Sequence, residues 1–328
     1  MRVFITNQIP ETGINMLKEA GHEVTVFPPE NTPIPYNELI ANCQKHDALL
    51  VAGFAKIDEN FFQQCPNIKV VSLFSVGYDS VDISAAIKHK VPVGNTPDVL
   101  SKATADTAFL LMLAVSRKAF YCYKKILDGK WKQFEPVADL GIDLHGKTIG
   151  IFGLGKIGFE MAKKCRDAFG MKVIYHNRNR NENAENELSA KYVSFNELLA
   201  QSDVISMHAN LTPETKGVFN NEAFAKMKPT AIFVNTGRGS MHNEEDLKEA
   251  LEKGIIWGAG LDVTNPEPMD KDNPLLLMPN VCVLPHIGSA TKETRDAMAA
   301  LAARNVIAGL KGEYLPTIVN KEVYDQCT

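Results

Sequence analysis

The chain has 328 residues, 45% of them hydrophobic and 23% charged, a length that suggests about two domains with sizeable cores. A net charge of −4, with acids and bases mixed along the chain, gives no electrostatic reason to expect nucleic acid. The start MRVFITNQIPETG lacks a charged-then-apolar leader pattern, the apolar run Ala108–Val115 falls far short of the ~20 residues of a membrane span, and six scattered cysteines form no CxxC pair. The expectation is a cytoplasmic protein with reduced thiols, no membrane partner and no metal.

Over the first hundred residues, short β-branched or apolar runs (RVFIT, EVTVF, HDALLVA, VVSLFS, VPVGN) alternate with helical patterns such as Ile14–Ala20 and Tyr36–Cys43. Strands alternating with helices argue for a parallel sheet. The prolines of Phe27–Pro35 mark a surface loop. Ser101 then reads as the N-cap of one long helix that stops at Asp128-Gly129. Its first half is apolar on nearly all sides, as burial at a domain or subunit contact, or deep in one core, would require.

A second series follows LGIDLHGK: TIGIFG, KVIYH, DVISMHA, AIFVNTG, GAGLDV and VCVLPH, ending near Ala290. The remainder reads as one amphipathic helix and a tail. TIGIFGLGKIG is a strand followed by Gly153-Leu154-Gly155-Lys156-Ile157-Gly158. The first glycine permits the tight turn, the second admits phosphate to the backbone, and the third lets helix pack on strand. Ile157, Met161, Cys165 and Phe169 mark one face of the helix after it, and Gly170 ends it. Its N-terminus suits a pyrophosphate. The strand before and the strand after make this a dinucleotide site rather than a set of turn glycines.

The acid that binds the adenine ribose of NAD belongs some twenty residues on. In VIYHNRNR its place is taken by Asn177, followed by Arg178 and Arg180. An amide does not repel a phosphate, and guanidinium groups match phosphate oxygens at two points. The site is therefore expected to prefer NADP(H), with NAD(H) possible.

Downstream, VNTGRGS, GLDVTNPEP and VLPHIGSAT each follow a strand-like run and contribute Arg238, Glu267 and His286. Reduction of a carbonyl needs a proton donor, and imidazole suits that role. A carboxylate beside it would orient the ring, and an arginine would grip an anionic substrate. Each residue alone reads as ordinary surface or loop chemistry. On three successive strand ends they read as a site.

With SVGYDSVD (75–82), GLGKIG, LTPETKG (211–217), NTGRGS, GLDV…PEP and PHIGSAT in that order, the chain resembles the D-2-hydroxyacid dehydrogenases over essentially its full length. The resemblance implies a Rossmann-type, doubly wound parallel-sheet cofactor domain (102–290) inserted into a smaller flavodoxin-like α/β substrate domain (1–101 plus 291–328), with a cleft that closes on substrate. It implies that Arg238 binds the substrate carboxylate and keto oxygen, that Glu267 pairs with His286, and that His286 is general acid for reduction and general base for oxidation. Backbone N–H groups of Val76 and Gly77 would hold the substrate carboxylate. Asp262 would hold the nicotinamide carboxamide, and Thr104, His208, Thr212, Thr236 and Gly288 would contact the cofactor with the glycine turn. A homodimer through the cofactor domain is implied, which favours the subunit reading of the long apolar helix. Substrate size is assigned to Val51–Asp58, SLFSVG and whatever a partner subunit adds near Trp131, itself read as packing.

Two departures stand out. The strand-end acid is missing, and Ala209-Asn210 replaces a residue followed by proline. The arginine turn and the SVGYD loop look most similar to glyoxylate/hydroxypyruvate reductases, then to 2-ketogluconate reductases. A different class, a dinucleotide-sensing corepressor, shares the fold family, but the chain has no basic arm and keeps Arg238, Glu267 and His286.

Overall fold

The computed structural model describes residues 1–28 and 33–325. The chain divides into two compact units, Met1–Leu100 with the residues from Ser289 onward, and Ser101–Gly288. Each is built on a parallel sheet.

In the first unit β1 (Arg2–Ile5), β2 (Glu23–Val26), β3 (Ala48–Val51), β4 (Val70–Leu73) and β5 (Val93–Gly94) lie in the order β2-β1-β3-β4-β5. That is the flavodoxin-like order. β3 and β4 are buried along their whole length, because helices cover both faces, and this is why ALLV and VVSL read as unbroken apolar runs. The helix Glu11–Glu19 begins three residues before the expected Ile14, whereas Tyr36–Cys43 has the expected bounds. Residues 29–32 of the proline loop, and Cys327, lie outside the described residues.

The final long helix, Lys292–Lys311, belongs to this unit. It is not amphipathic as expected. Ala299, Ala302, Ala303 and Val306 pack into the core with Val3, Ile5 and Leu50, while Leu301 and Leu310 are also buried. Small residues let it approach closely: a Cβ on Gly13 would lie 2.8 Å from the Ala299 carbonyl oxygen.

In the second unit β6 (Thr148–Phe152), β7 (Lys172–His176), β8 (Lys191–Tyr192), β9 (Val204–Met207), β10 (Ile232–Asn235), β11 (Gly258–Leu261) and β12 (Val281–Val283) form a sheet in the order β12-β11-β10-β9-β6-β7-β8. The chain runs outward from β6 to β8, then returns to β9 and proceeds the other way. Ligands of such sheets bind at this switch, outside the carboxyl ends of the strands. The sequence reading missed β8, which at two residues is too short for any periodicity to register.

The expected single helix from Ser101 is two helices, Ser101–Ser116 and Ala119–Leu127. Lys118 breaks it by taking a left-handed conformation, φ 52°, and Ser101 is the first helical residue rather than the cap. The first helix is buried against β10, β11 and the helix Lys156–Phe169. The second buries none of its residues, and Ile126, Leu127, Trp131, Phe134, Val137 and Leu140 are exposed. Trp131 is thus not packing within its own chain. No helix among the described residues is long and apolar enough to cross a membrane.

Candidate active site

The glycine turn leaves β6 at Phe152 beside the end of β9. Gly153 sits at φ 95°, and a Cβ there would come within 2.3 Å of the Ala209 amide nitrogen, so only glycine fits. A Cβ on Gly158 would collide with the Gly153 carbonyl oxygen at 2.6 Å, which is the close helix–strand approach. Gly155 caps the helix Lys156–Phe169 with no side chain, and a Cβ on it would meet no atom within 4 Å. The open face of this cradle and the uncapped helix N-terminus fit a pyrophosphate. Thr104, from the first turn of Ser101–Ser116, lies beside Gly288, with its Cγ2 3.4 Å from where a Gly288 Cβ would be.

Asn177 follows β7, where the acid is missing. Its Oδ1 accepts from the Leu154 N–H at 2.6 Å and its Nδ2 donates to the Leu154 carbonyl at 3.3 Å. Asn181 Nδ2 donates to the same carbonyl at 2.9 Å. An amide can hold both the N–H and the C=O of the turn, whereas a carboxylate has no proton to offer the carbonyl. The two arginines then part company. Arg180 is clamped by Glu185, with Nε to Oε1 at 3.0 Å and Nη2 to Oε2 at 2.5 Å, and the Tyr175 hydroxyl also donates to Glu185 at 2.5 Å. Arg180, and after it Tyr175, hold the Glu185 carboxyl down to about 2. Arg178 is exposed, and its charge adds to the hydrogen bond from Thr212 in keeping Glu214 ionised below the ordinary range.

Beyond β9, half-buried His208 accepts or donates to Ser206 Oγ at 2.8 Å through Nε2 and lies 3.4 Å from Thr236 Oγ1 through Nδ1. Loss of water around the ring pushes its pKa down to about 3, so it is neutral. Asn210, Thr212 and Thr215 close on one another: Thr215 Oγ1 donates to the Asn210 carbonyl and accepts from the Thr212 N–H, both at 2.8 Å.

Arg238 stands three residues past the end of β10, half-buried, with Nη1 donating to the Gly237 carbonyl at 2.9 Å. Asn235, fully buried, shapes this turn: its Oδ1 accepts from the Gly237 N–H and its Nδ2 donates to the Arg238 carbonyl, both at 2.9 Å. The turn is seated on the loop after β11, because a Cβ on Gly239 would come within 2.0 Å of the Thr264 carbonyl oxygen. That second loop carries Glu267, whose Oε1 is 2.5 Å from His286 Nδ1.

His286 follows β12 with φ 54°, a left-handed conformation that costs a non-glycine residue about 1 kcal/mol or more. Asp262, at the end of β11, holds it there. The Asp262 carbonyl accepts from the His286 N–H at 2.9 Å, and its carboxylate oxygens accept from Ile287 N–H and Gly288 N–H at 2.8 Å each. Burial raises the Asp262 pKa, and the two backbone N–H groups oppose that shift by favouring the charged form. With Nδ1 turned to Glu267, Nε2 of His286 is left to carry a proton to or from a ligand. Sequence reasoning missed Asn235, Asn181 and Glu185. Asn235 lay inside the quoted VNTGRGS motif, but nothing in a sequence marks an asparagine as buried.

Val76 and Gly77 belong to the other unit, in the loop after β4. Ser75 Oγ donates to the Gly77 carbonyl at 2.7 Å and Asn95 Nδ2 to the Val76 carbonyl at 2.9 Å. With both carbonyls tied down, the N–H groups of Val76 and Gly77 have no acceptor among the described residues. Such paired N–H groups suit an anion.

A glycine cradle at the switch point, with an arginine and an imidazole–carboxylate pair on the neighbouring strand ends, defines a class: nicotinamide-dependent oxidoreductases. Comparison with known proteins narrows it. The family model of the D-isomer specific 2-hydroxyacid dehydrogenase NAD binding domain matches residues 109–288. A glyoxylate reductase of Thermococcus litoralis is 44% identical over 326 residues, 98% of this chain and 97% of the relative. The crystal structure of a Thermus thermophilus protein has a TM-score of 0.90 and 40% identity, covering 97% of this chain and 100% of that one. The NADPH-dependent glyoxylate/hydroxypyruvate reductase of Sinorhizobium meliloti, in complex with NADP and malonate, has a TM-score of 0.84 and 30% identity, covering 98% of this chain and 97% of that one. The chain belongs to the D-2-hydroxyacid dehydrogenase family and is an NAD(P)-dependent oxidoreductase.

Proposed function

We propose that this enzyme reduces small 2-keto acids, glyoxylate to glycolate and hydroxypyruvate to D-glycerate, with NADPH preferred over NADH. The observation that carries the reading is the His286–Glu267 pair at 2.5 Å beside the arginine turn, on adjacent strand ends. Relatives named glyoxylate reductase support the substrate class.

When bound, the nicotinamide supplies the hydride that reaches the keto carbon. Arg238 grips the substrate carboxylate and draws density from the keto oxygen. His286 gives the proton on Nε2 to that oxygen as the C–H bond forms, so the alkoxide never has to exist free. Glu267 holds Nδ1–H and fixes the ring plane. Asp262 keeps the 286–288 loop in place and would meet the carboxamide, while Thr104, His208, Thr212, Thr236 and Gly288 would line the rest of the cofactor's path. In the oxidative direction His286 takes the proton back.

Arg178 is the arginine we assign to the 2′-phosphate. Its exposure leaves it able to swing onto a phosphate, whereas Arg180 would first have to leave Glu185. The unit of Met1–Leu100 with the C-terminal segment is assigned to the substrate and the unit of Ser101–Gly288 to the cofactor. The exposed apolar residues between Ile126 and Leu140 support a homodimer formed through the cofactor unit.

Steady-state kinetics with NADPH and NADH, each against glyoxylate, hydroxypyruvate and 2-ketogluconate, test the reading. We expect the highest kcat/KM with NADPH and one of the two smaller acids. A preference for 2-ketogluconate would rename the substrate. Saturable NADPH binding without turnover of any pair would instead identify a dinucleotide-binding module.

A further inference from the structure

The turn that carries Arg238 is held from behind by a histidine with no contact to the reaction. His242 follows the short 3-10 helix Gly239–Met241 and is 2% exposed. Its Nδ1 lies 3.0 Å from Asn235 Nδ2, and its ring meets Phe233 edge to face at 5.7 Å. The orientation of the Asn235 amide is not open to choice. The Gly237 N–H can only donate, so it faces Oδ1, and the Arg238 carbonyl can only accept, so it faces Nδ2. The second Nδ2 proton therefore points at His242 Nδ1, which must be bare, and the ring proton sits on Nε2.

That Nε2–H is buried without a partner among the described residues. A lone imidazole with an orphan donor is a costly way to fill a core position, and an aliphatic side chain there would pack at lower cost. Among the described residues, the one polar bond the ring makes is the acceptor it offers Asn235. Burial keeps the ring neutral, with a pKa near 4, so the acceptor is present at neutral pH.

We infer that His242 is a positioning residue: by accepting from Asn235 it fixes the amide that fixes the Arg238 turn, and so sets how well the arginine meets the anionic end of the substrate. The inference rests on the proposed role of Arg238 at the carboxylate. Without the Nδ1 acceptor, one Asn235 proton is left unpaired, the amide gains reason to turn, and its two bonds to Gly237 and Arg238 weaken together.

The test compares His242→Leu, which removes the acceptor, with His242→Asn, whose Oδ1 can replace it, using the full enzyme with NADPH and glyoxylate. We expect His242→Leu to raise the KM for glyoxylate about tenfold while the KM for NADPH stays within about twofold, and His242→Asn to recover most of the loss. In the unaltered protein, nitrogen NMR of labelled histidine should show His242 with a bare Nδ1 and a protonated Nε2. That measurement stands even if His242→Leu does not fold. A protonated Nδ1, or a glyoxylate KM in His242→Leu equal to that of the unaltered enzyme while Arg238→Ala raises it, overturns the inference alone. Unchanged KM in both variants overturns the role of Arg238 beneath it.

Discussion

Two groups of strand ends in the same sheet are built differently. After β10, β11 and β12, every residue assigned to chemistry is gripped by a buried neighbour: Arg238 through Asn235, His286 through Asp262, and Glu267 on a loop packed against Gly239. After β7, Arg178 is exposed and acts on Glu214 only through its charge, and Arg180 is tied to Glu185 on the surface. Bond making needs atoms placed before the substrate arrives, because reorganisation during the reaction would add to the barrier. Choosing between two cofactors needs only an attractive charge within reach, and mobility there costs little. Substitutions in the first group should therefore act on rate by orders of magnitude, and those in the second on cofactor choice by modest factors.

Arg238→Ala should lower kcat/KM for glyoxylate by about a thousandfold with unchanged cofactor affinity. A fall below tenfold would place the substrate carboxylate elsewhere. Gly153→Ala comes next. Its Cβ cannot coexist with the Ala209 backbone at 2.3 Å and its φ of 95° disfavours any side chain, so cofactor affinity and thermal stability should drop together. Wild-type values of both would mean that the turn relaxes freely.

Arg178→Ala should raise the KM for NADPH about tenfold and leave that for NADH unchanged. Arg180→Ala should alter cofactor choice less than threefold, because Glu185 already holds its guanidinium. The reverse ranking would show that Glu185 releases Arg180 to the phosphate. The smallest effect concerns acid. His242, neutral when folded with a pKa near 4, takes up its proton at higher pH once unfolded. The unfolded state thus binds more protons between about pH 6.5 and pH 4, and stability falls as the pH is lowered through that window. Melting temperatures measured across it should fall less steeply for His242→Leu than for the unaltered protein.

The strands were legible because parallel strands buried on both faces read as unbroken apolar runs, as ALLV and TIGIF do. The glycine turn was legible because its glycines answer separate steric demands, and the structure shows those at Gly153 and Gly158. The break at Lys118 was not, since a lysine in a left-handed conformation carries no signal comparable to glycine. Nor was the burial around Lys292–Lys311, where alanines on several faces hide the pattern that a periodicity reading seeks. At the site the side chains to which we assign the chemistry stood out by type and spacing. The groups that aim them, Asn235 and His242, did not, because their roles depend on burial and amide orientation. The two arginines of NRNR looked equivalent until Glu185, from the helix that follows, was seen to take one of them.

The most direct measurement is kcat/KM with NADPH and glyoxylate for the unaltered enzyme and for His286→Gln, with the Kd for NADPH determined for each. If the His286–Glu267 pair carries the proton, the variant loses about a hundred- to ten-thousandfold in kcat/KM and keeps its Kd. Turnover within a few-fold of the unaltered enzyme at unchanged Kd would contradict that assignment and move the proton to another group.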